Sequence, residues 1–240
     1  MRQDKLQEKL FFNRFRQGSY DVFTRRSYRK LFDLLKRELP EKEKLKILDL
    51  GCGSGAFTGY LADLNARVFG LDISCNLLKR AEKKETVSFI CADIEYLPFC
   101  DESFDVVIFS ACLHHFPQLE GPIKEARRIL KRKGICFAFD PNNRNPVMWI
   151  FRNKKSPFYT SRGVTANERL LTAEEVGEVF NNQGFEAKTI AVSGISFQYV
   201  ESEILKMLLP VYNFFDGLFG RIDFLSSRYG SFILTFAKKY

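Results

Sequence analysis

From Leu45 onward, short apolar runs alternate with stretches in which apolar positions recur every three or four residues, the pattern of parallel strands wrapped by helices. Five strands are predicted: Leu45 to Leu50, Arg67 to Leu71, Val87 to Cys91, Phe104 to Phe109 and Gly134 to Phe139. They are mostly apolar on both faces, as strands covered on both sides must be. Helices are expected between them over Gly55 to Leu64, Ser74 to Lys84 with Ser74 as cap, and Leu119 to Arg132, where Ile123, Ala126, Ile129 and Leu130 mark the inward stripe. Residues 140–171 are rich in turn formers and read as a long loop lining a pocket at one end of the sheet. Thr172 then caps a helix over Ala173 to Gln183, closed by Gly184, and strands follow over Phe185 to Val192 and Ser231 to Lys238.

Between these last two strands lies an aromatic-rich insertion with too much apolar surface for a hairpin, which Pro210, Gly217 and Gly220 are expected to divide into short helices. The chain therefore reads as one domain: a basic helical arm over 1–44, a core over 45–193 and 230–240, and a helical lid over 194–229. Its 45% hydrophobic and 28% charged residues exclude collagen-like and disordered classes. The net charge of +8 is concentrated in residues 1–46, which hold 14 Lys and Arg against 7 Asp and Glu, leaving 23 against 22 elsewhere. Such an arm suits phosphates, an anionic membrane or plain solvent. The charged start and the lack of a long apolar run suggest a cytoplasmic protein. Six scattered cysteines without a C-x-x-C pair then predict buried free thiols, no disulfide and no metal site.

The sharpest motif is ILDLGCGSGAFT, residues 47–58, where a buried strand runs through Asp49, Gly51, Gly53 and Gly55 straight into a helix. The glycines let backbone approach a ligand closely, and the helix start offers unpaired amides to a carboxylate or phosphate. Asp72 follows Gly51 by 21 residues at the end of the next strand, where a carboxylate accepts both hydroxyls of a ribose. The glycine spacing also satisfies the G-x-G-x-x-G/A form used for NAD. Asp49 before the bend, and Asp93 after the third strand, argue against NAD.

With ILDLGCGSG, GLDIS, ADIEYLPF, FDVVIFSACLHHF and LKRKGICFAFDPNN in that order, the chain resembles the class I S-adenosylmethionine-dependent methyltransferases of the methyltransferase type 11 kind. Within them it is most similar to the branch of the ubiquinone and menaquinone C-methyltransferases. The resemblance covers about residues 20–193 and the final strand. It implies an α/β, Rossmann-like fold with a seven-stranded, mostly parallel sheet in the order 3-2-1-4-5-7-6, helices on both faces, an antiparallel last strand and S-adenosylmethionine as cofactor. It further implies that Asp49, Gly51 and Gly53 surround the methionine portion, that Cys52 and Gly55 also bind the cofactor, and that Asp72 holds the ribose. Asp93 and Ile94 would meet the adenine, with Ile73 against its ring, Ser110 and Cys112 near the sulfonium, and Tyr20 closing over the cofactor.

His115, after the fourth strand, is the candidate base, ahead of His114. The long insertion departs from the quinone enzymes, so their substrate is not carried over. A small hydrophobic or lipid-like acceptor fits the aromatic insertion, and the basic arm suits peripheral contact with an anionic membrane. Nucleic acid is disfavoured because SACLHHF stands where amino-methylating enzymes carry an Asn/Asp-Pro-Pro-aromatic signature. A non-catalytic S-adenosylmethionine-binding scaffold is the remaining alternative.

Overall fold

The computed structural model describes residues 5–14, 21–82 and 84–240. Its centre is a seven-stranded sheet in the order β3-β2-β1-β4-β5-β7-β6, built from β1 (Leu45–Leu50), β2 (Ala66–Asp72), β3 (Val87–Cys91), β4 (Phe104–Ser110), β5 (Leu130–Pro141), β6 (Phe185–Val192) and β7 (Phe232–Lys239). The first five strands pair in parallel, and β7 runs antiparallel to both β5 and β6. Every residue of β4 before Ser110 is buried, as is every residue of β1 except Lys46, which is why these central strands lack polar alternation.

Each face of the sheet carries its own apolar layer. On one, α5 (Glu120–Ile129) and α7 (Ala173–Asn182) set Ile123, Ala126, Val176 and Phe180 against Leu48, Val107 and Phe109. On the other, α2 (Arg25–Lys36) and α3 (Ala56–Leu61) set Leu31, Leu35, Phe57 and Leu61 against Ile47, Val106 and Phe139. Helix α2 is capped by Thr24, whose hydroxyl accepts the Ser27 N–H at 3.2 Å, and its Ser27, Leu31 and Leu35 repeat every four residues on the buried side. Half of the basic arm is thus structural: its arginines face water while its leucines complete the core.

Several boundaries differ from the sequence expectation. The helix before β5 stops at Ile129, and the strand starts at Leu130 because Lys131 to Gly134 bulge where the β4–β5 register shifts. Helix α4 is only Cys75–Leu78. The 140–171 stretch contains α6 (Pro146–Arg152), capped by the Asn145 side chain, which takes the Met148 N–H at 3.0 Å. Pro210 and Gly217 do not divide the insertion: α8 runs unbroken over Glu203–Phe219, and α9 (Asp223–Tyr229) follows. Asp216 anchors α8, since its Oδ2 accepts the Ile195 N–H at 3.2 Å and the Ser231 hydroxyl at 3.1 Å, charge-assisted bonds that offset the one lost at proline.

A disulfide joins Cys75 and Cys91, against the expectation of free thiols throughout. The cause is topological. Asp72 and Cys91 are register partners across β2 and β3, so the turn into α4 delivers Cys75 beside the end of β3 with 5.3 Å between Cα atoms. The other four cysteines are free.

Because Leu35 is fully buried, Leu35→Ala should lower stability by about 2–5 kcal/mol in urea unfolding. A helix merely solvated on the surface would give a change near zero.

Candidate active site

The carboxyl ends of β1, β2 and β4 open on one crevice, the place where doubly wound sheets take ligands. Gly51 ends β1 with φ +68°, and a Cβ there would stand 2.5 Å from that of Cys112, so both the turn and the packing demand glycine. The N–H of Gly53 donates to Asp72 Oδ2 at 2.9 Å and that of Ser74 to Oδ1 at 2.8 Å. One buried carboxylate therefore ties the glycine bend to the tip of β2. Burial raises the Asp72 pKa, opposed by these two amides.

A cavity of about 280 Å³ fills the crevice. Gly51, Cys52, Gly53, Asp72 and Ile73 line it from β1 and β2, with Asp93 and Ile94 beside the β3 end and Ser110 and Cys112 on the β4 side. Asp49 is not on this wall. Fully buried behind it, Asp49 accepts the Thr58 hydroxyl at 2.6 Å and, through its other oxygen, the hydroxyl of Ser110, which does reach the cavity. Gly55 faces a separate pocket with Arg80 and Phe89. Tyr20 lies outside the described residues.

Sequence reasoning missed the first helix altogether as a wall of the site. Helix α1 (Lys5–Asn13) folds back over the crevice. Lys5 pairs with Asp93 and, at 2.6 Å, with Glu95, and lies 4.6 Å from the Tyr96 ring centre, while Asn13 accepts the Ser74 hydroxyl at 2.7 Å. Glu8 Oε2 stands 3.5 Å from His115 Nδ1, and the Phe12 ring packs edge-on against the His115 ring. Contacts across such sequence separations carry no local signal; only the mixed charged and aromatic face of α1 hinted at a docked helix.

The two histidines occupy one 3₁₀ turn, Leu113–His115, but different environments. His114 is pinned at the back: its backbone N–H donates to Asp140 Oδ1 at 3.0 Å and its Nδ1 sits 2.7 Å from the same oxygen. Burial holds His114 well below the usual histidine range and pushes Asp140 up to about 8. His115 lines the cavity, with Nδ1 3.1 Å from Thr165 Oγ1. Burial opposes its charge, yet Glu8, Glu168 and Asp140 raise its pKa above 6.5. Glu8 is drawn below the usual glutamate value despite its burial, by that same histidine. One ligand atom each from His114, His115 and Glu168 falls within a 4.8 Å cluster, and Arg152 reaches Glu168 at 3.4 Å as its counter-charge.

Beyond the histidines Phe23, Met148, Phe151, Phe197, Leu209 and Tyr212 line the cavity, with Arg152, Arg162, Glu168 and Glu201 among them. The long 140–171 segment contributes to this wall, as expected, through α6 and Arg162.

A doubly wound sheet with a glycine bend facing a ribose-type carboxylate defines a nucleoside-binding α/β protein. Comparison with known proteins makes that specific. Residues 48–138 match the family model described as a methyltransferase domain. The uncharacterized protein MJ1123 of Methanocaldococcus jannaschii is 33% identical over 176 residues, 72% of this chain and 78% of that one. A malonyl-[acyl-carrier protein] O-methyltransferase of Pseudescherichia vulneris is 33% identical over 45% of this chain and 43% of its own length. Among solved structures, phosphoethanolamine N-methyltransferase 2 of Haemonchus contortus, in complex with S-adenosyl-L-methionine, shares the fold with a TM-score of 0.64 at 19% identity, over 98% of this chain and 56% of that one. The chain spans about half the length of other curated relatives that it matches. It belongs to the class I S-adenosylmethionine-dependent methyltransferases.

Burial lifts the Asp49 carboxyl from 3.8 to about 7 although Ser110 and Thr58 donate to it. The folded chain then keeps a proton that the unfolded chain has lost, so stability declines as pH rises from about 4 to about 7. Thermal melts of Asp49→Asn should show a shallower decline across this window than the parent; an equal slope would count against Asp49 as its source.

Proposed function

We propose that this protein transfers the methyl group of S-adenosylmethionine to a small hydrophobic acceptor held beneath α6 and α8. The carrying observation is one cavity with two differently built ends: a carboxylate-braced glycine bend at Asp72, and beyond His115 a wall of aromatic and aliphatic side chains. The residues present fit the cofactor. Asp72 presents a buried, ordered carboxylate to the cavity, and the bend brings backbone rather than side chain to its edge.

Asp72 would hold the ribose hydroxyls, and Gly51, Cys52 and Gly53 would border the amino-acid tail. Asp93, Ile94 and Ile73 would enclose the adenine, with Ser110 and Cys112 at the methyl-bearing end. When bound, S-adenosylmethionine supplies a methyl carbon already activated by positive sulfur, so the protein's tasks are alignment and exclusion of water. Asp49 serves from behind, fixing the Ser110 hydroxyl. Lys5 on Asp93 and Asn13 on Ser74 draw α1 over the nucleoside end, which makes that helix a cover. Insertion 194–229 forms the opposite cover over the acceptor.

His115 would take the acceptor proton. Its Nδ1 is the nitrogen facing Thr165 and Glu8, so the exchange falls to Nε2. Glu8 is a positioning residue: it orients the ring and stabilises the cation that forms.

The reading is tested by incubating the protein with methyl-labelled S-adenosylmethionine and separate organic and aqueous cell extracts. Label should enter the organic phase; label confined to RNA, or no label from protein that binds the cofactor, would replace this reading with the nucleic-acid or scaffold alternative. Asp72→Ala should weaken S-adenosylhomocysteine binding by about tenfold to a hundredfold in calorimetry, and undiminished affinity would remove Asp72 from the site. Since the base form of His115 is needed, turnover should rise with pH through a limb above 6.5. Glu8→Gln removes a contribution that raises the His115 pKa, so the limb should move to lower pH; a limb unchanged in this variant, or surviving in His115→Gln, would dismiss the dyad.

A further inference from the structure

Between Lys206 and Arg221 the chain has a single charged residue, Asp216, and it points inward: 3% exposed, it holds the backbone of Ile195 and the Ser231 hydroxyl. Everything α8 shows to solvent over that span is apolar or glycine. Met207 is 81% exposed, Phe214 67%, Val211 54% and Phe215 48%, with Leu218 beside them and Phe224, 68% exposed, opening α9. A contiguous apolar strip of this extent on the surface marks an interaction site.

Two features say which occupant. The strip has charged ends: Lys206, paired with Glu203 at 2.6 Å, precedes it, and exposed Arg221 and Arg228, with Asp223 between them, follow it and leave the border net positive. Lys30 of α2 donates to the Ser193 carbonyl beside its underside, close enough to Arg26 and Asp216 to feel both charges. Secondly, α8 is apolar on its inner side too, where Leu205, Leu209 and Tyr212 line the cavity and Leu208 belongs to both surfaces. A folded partner seated there would merely cap the helix. Leu208 thus joins the exposed strip to the apolar side of the cavity, which places an entry for a hydrophobic molecule at α8. Helix α8 spans 17 residues, about 25 Å, and no helix among the described residues is long and apolar enough to cross a membrane. It is dimensioned to lie in an interface.

We infer that α8 and the start of α9 lie in the surface of an anionic lipid bilayer, apolar face down and Arg221 and Arg228 against the headgroups, and pass membrane-held acceptors into the cavity. The surface itself stands on the exposed strip and its charges; the delivery rests on the hydrophobic acceptor proposed above.

The test is flotation of the full chain with vesicles of equal parts phosphatidylcholine and phosphatidylglycerol, and with phosphatidylcholine alone. The protein should float with the anionic vesicles, less so at high salt. The triple variant Phe214→Ser, Phe215→Ser, Leu218→Ser touches no cavity residue, and should lose flotation at least about tenfold while keeping its affinity for S-adenosylhomocysteine. Protein that stays out of the anionic vesicles, or a triple variant that floats as well as the parent, overturns the inference. So does a concentration-dependent dimer in sedimentation that the triple variant abolishes without vesicle binding, which would give the face to a second copy. Turnover of a detergent-dispersed hydrophobic acceptor separates the two proposals: flotation without it retains the surface and sinks the acceptor reading, and turnover without flotation does the reverse.

Discussion

The crevice exists because one buried carboxylate is shared between two backbone segments. Asp72 accepts the amides of Gly53 and Ser74, and so locks the glycine bend after β1 to the tip of β2. Charge-assisted bonds of this kind inside a low-dielectric site are stiff, and they leave the carboxylate preoriented toward the cavity. The parallel β2–β1–β4 pairing sets the bend and the Asp72 and Ser110 tips side by side. Without that register Asp72 would face solvent and the glycines would be an ordinary turn.

Around this rigid edge the structure arranges parts of decreasing stiffness. Asp49 and His114 are buried and fully engaged, and they fix Ser110 and the turn that carries His115. Helix α1 is held by polar contacts to Asp93, Glu95 and Ser74, bonds that can open without disturbing the core. Helix α8 is tied to the sheet through Asp216 and turns its apolar surface outward. The same cavity is therefore closed by α1 through polar contacts and by α8 through apolar side chains.

The electrostatics follow the same division. Burial lowers the His114 pKa and raises that of Asp140, whereas His115 keeps a raised pKa because carboxylates surround it. Two adjacent residues of the same type differ because one points into the protein and the other into the cavity. Glu8, delivered by a separate helix, is one of the groups that raise the His115 pKa.

Strand runs, the glycine bend and the spacing of Asp72 and Asp93 were legible in the chain because each is a local consequence of periodicity or of a turn that only glycine tolerates. β6 lies where its alternation and the preceding cap and glycine put it. Helix α8 was misjudged because Pro210 is a local penalty, while the anchoring of Asp216 is a tertiary gain. The Cys75–Cys91 bridge was hidden because spacing says nothing about which strand tips meet. Asp49 turned away from the cavity for a similar reason: its Thr58 and Ser110 partners belong to different elements. The sequence by itself determined the sheet, its glycine bend and the chemistry class that such a bend admits, since these depend on neighbours along the chain. Only the tertiary structure decided which side chains face the cavity, that α1 covers it, and that the apolar side of α8 looks outward, since each depends on a partner tens of residues away.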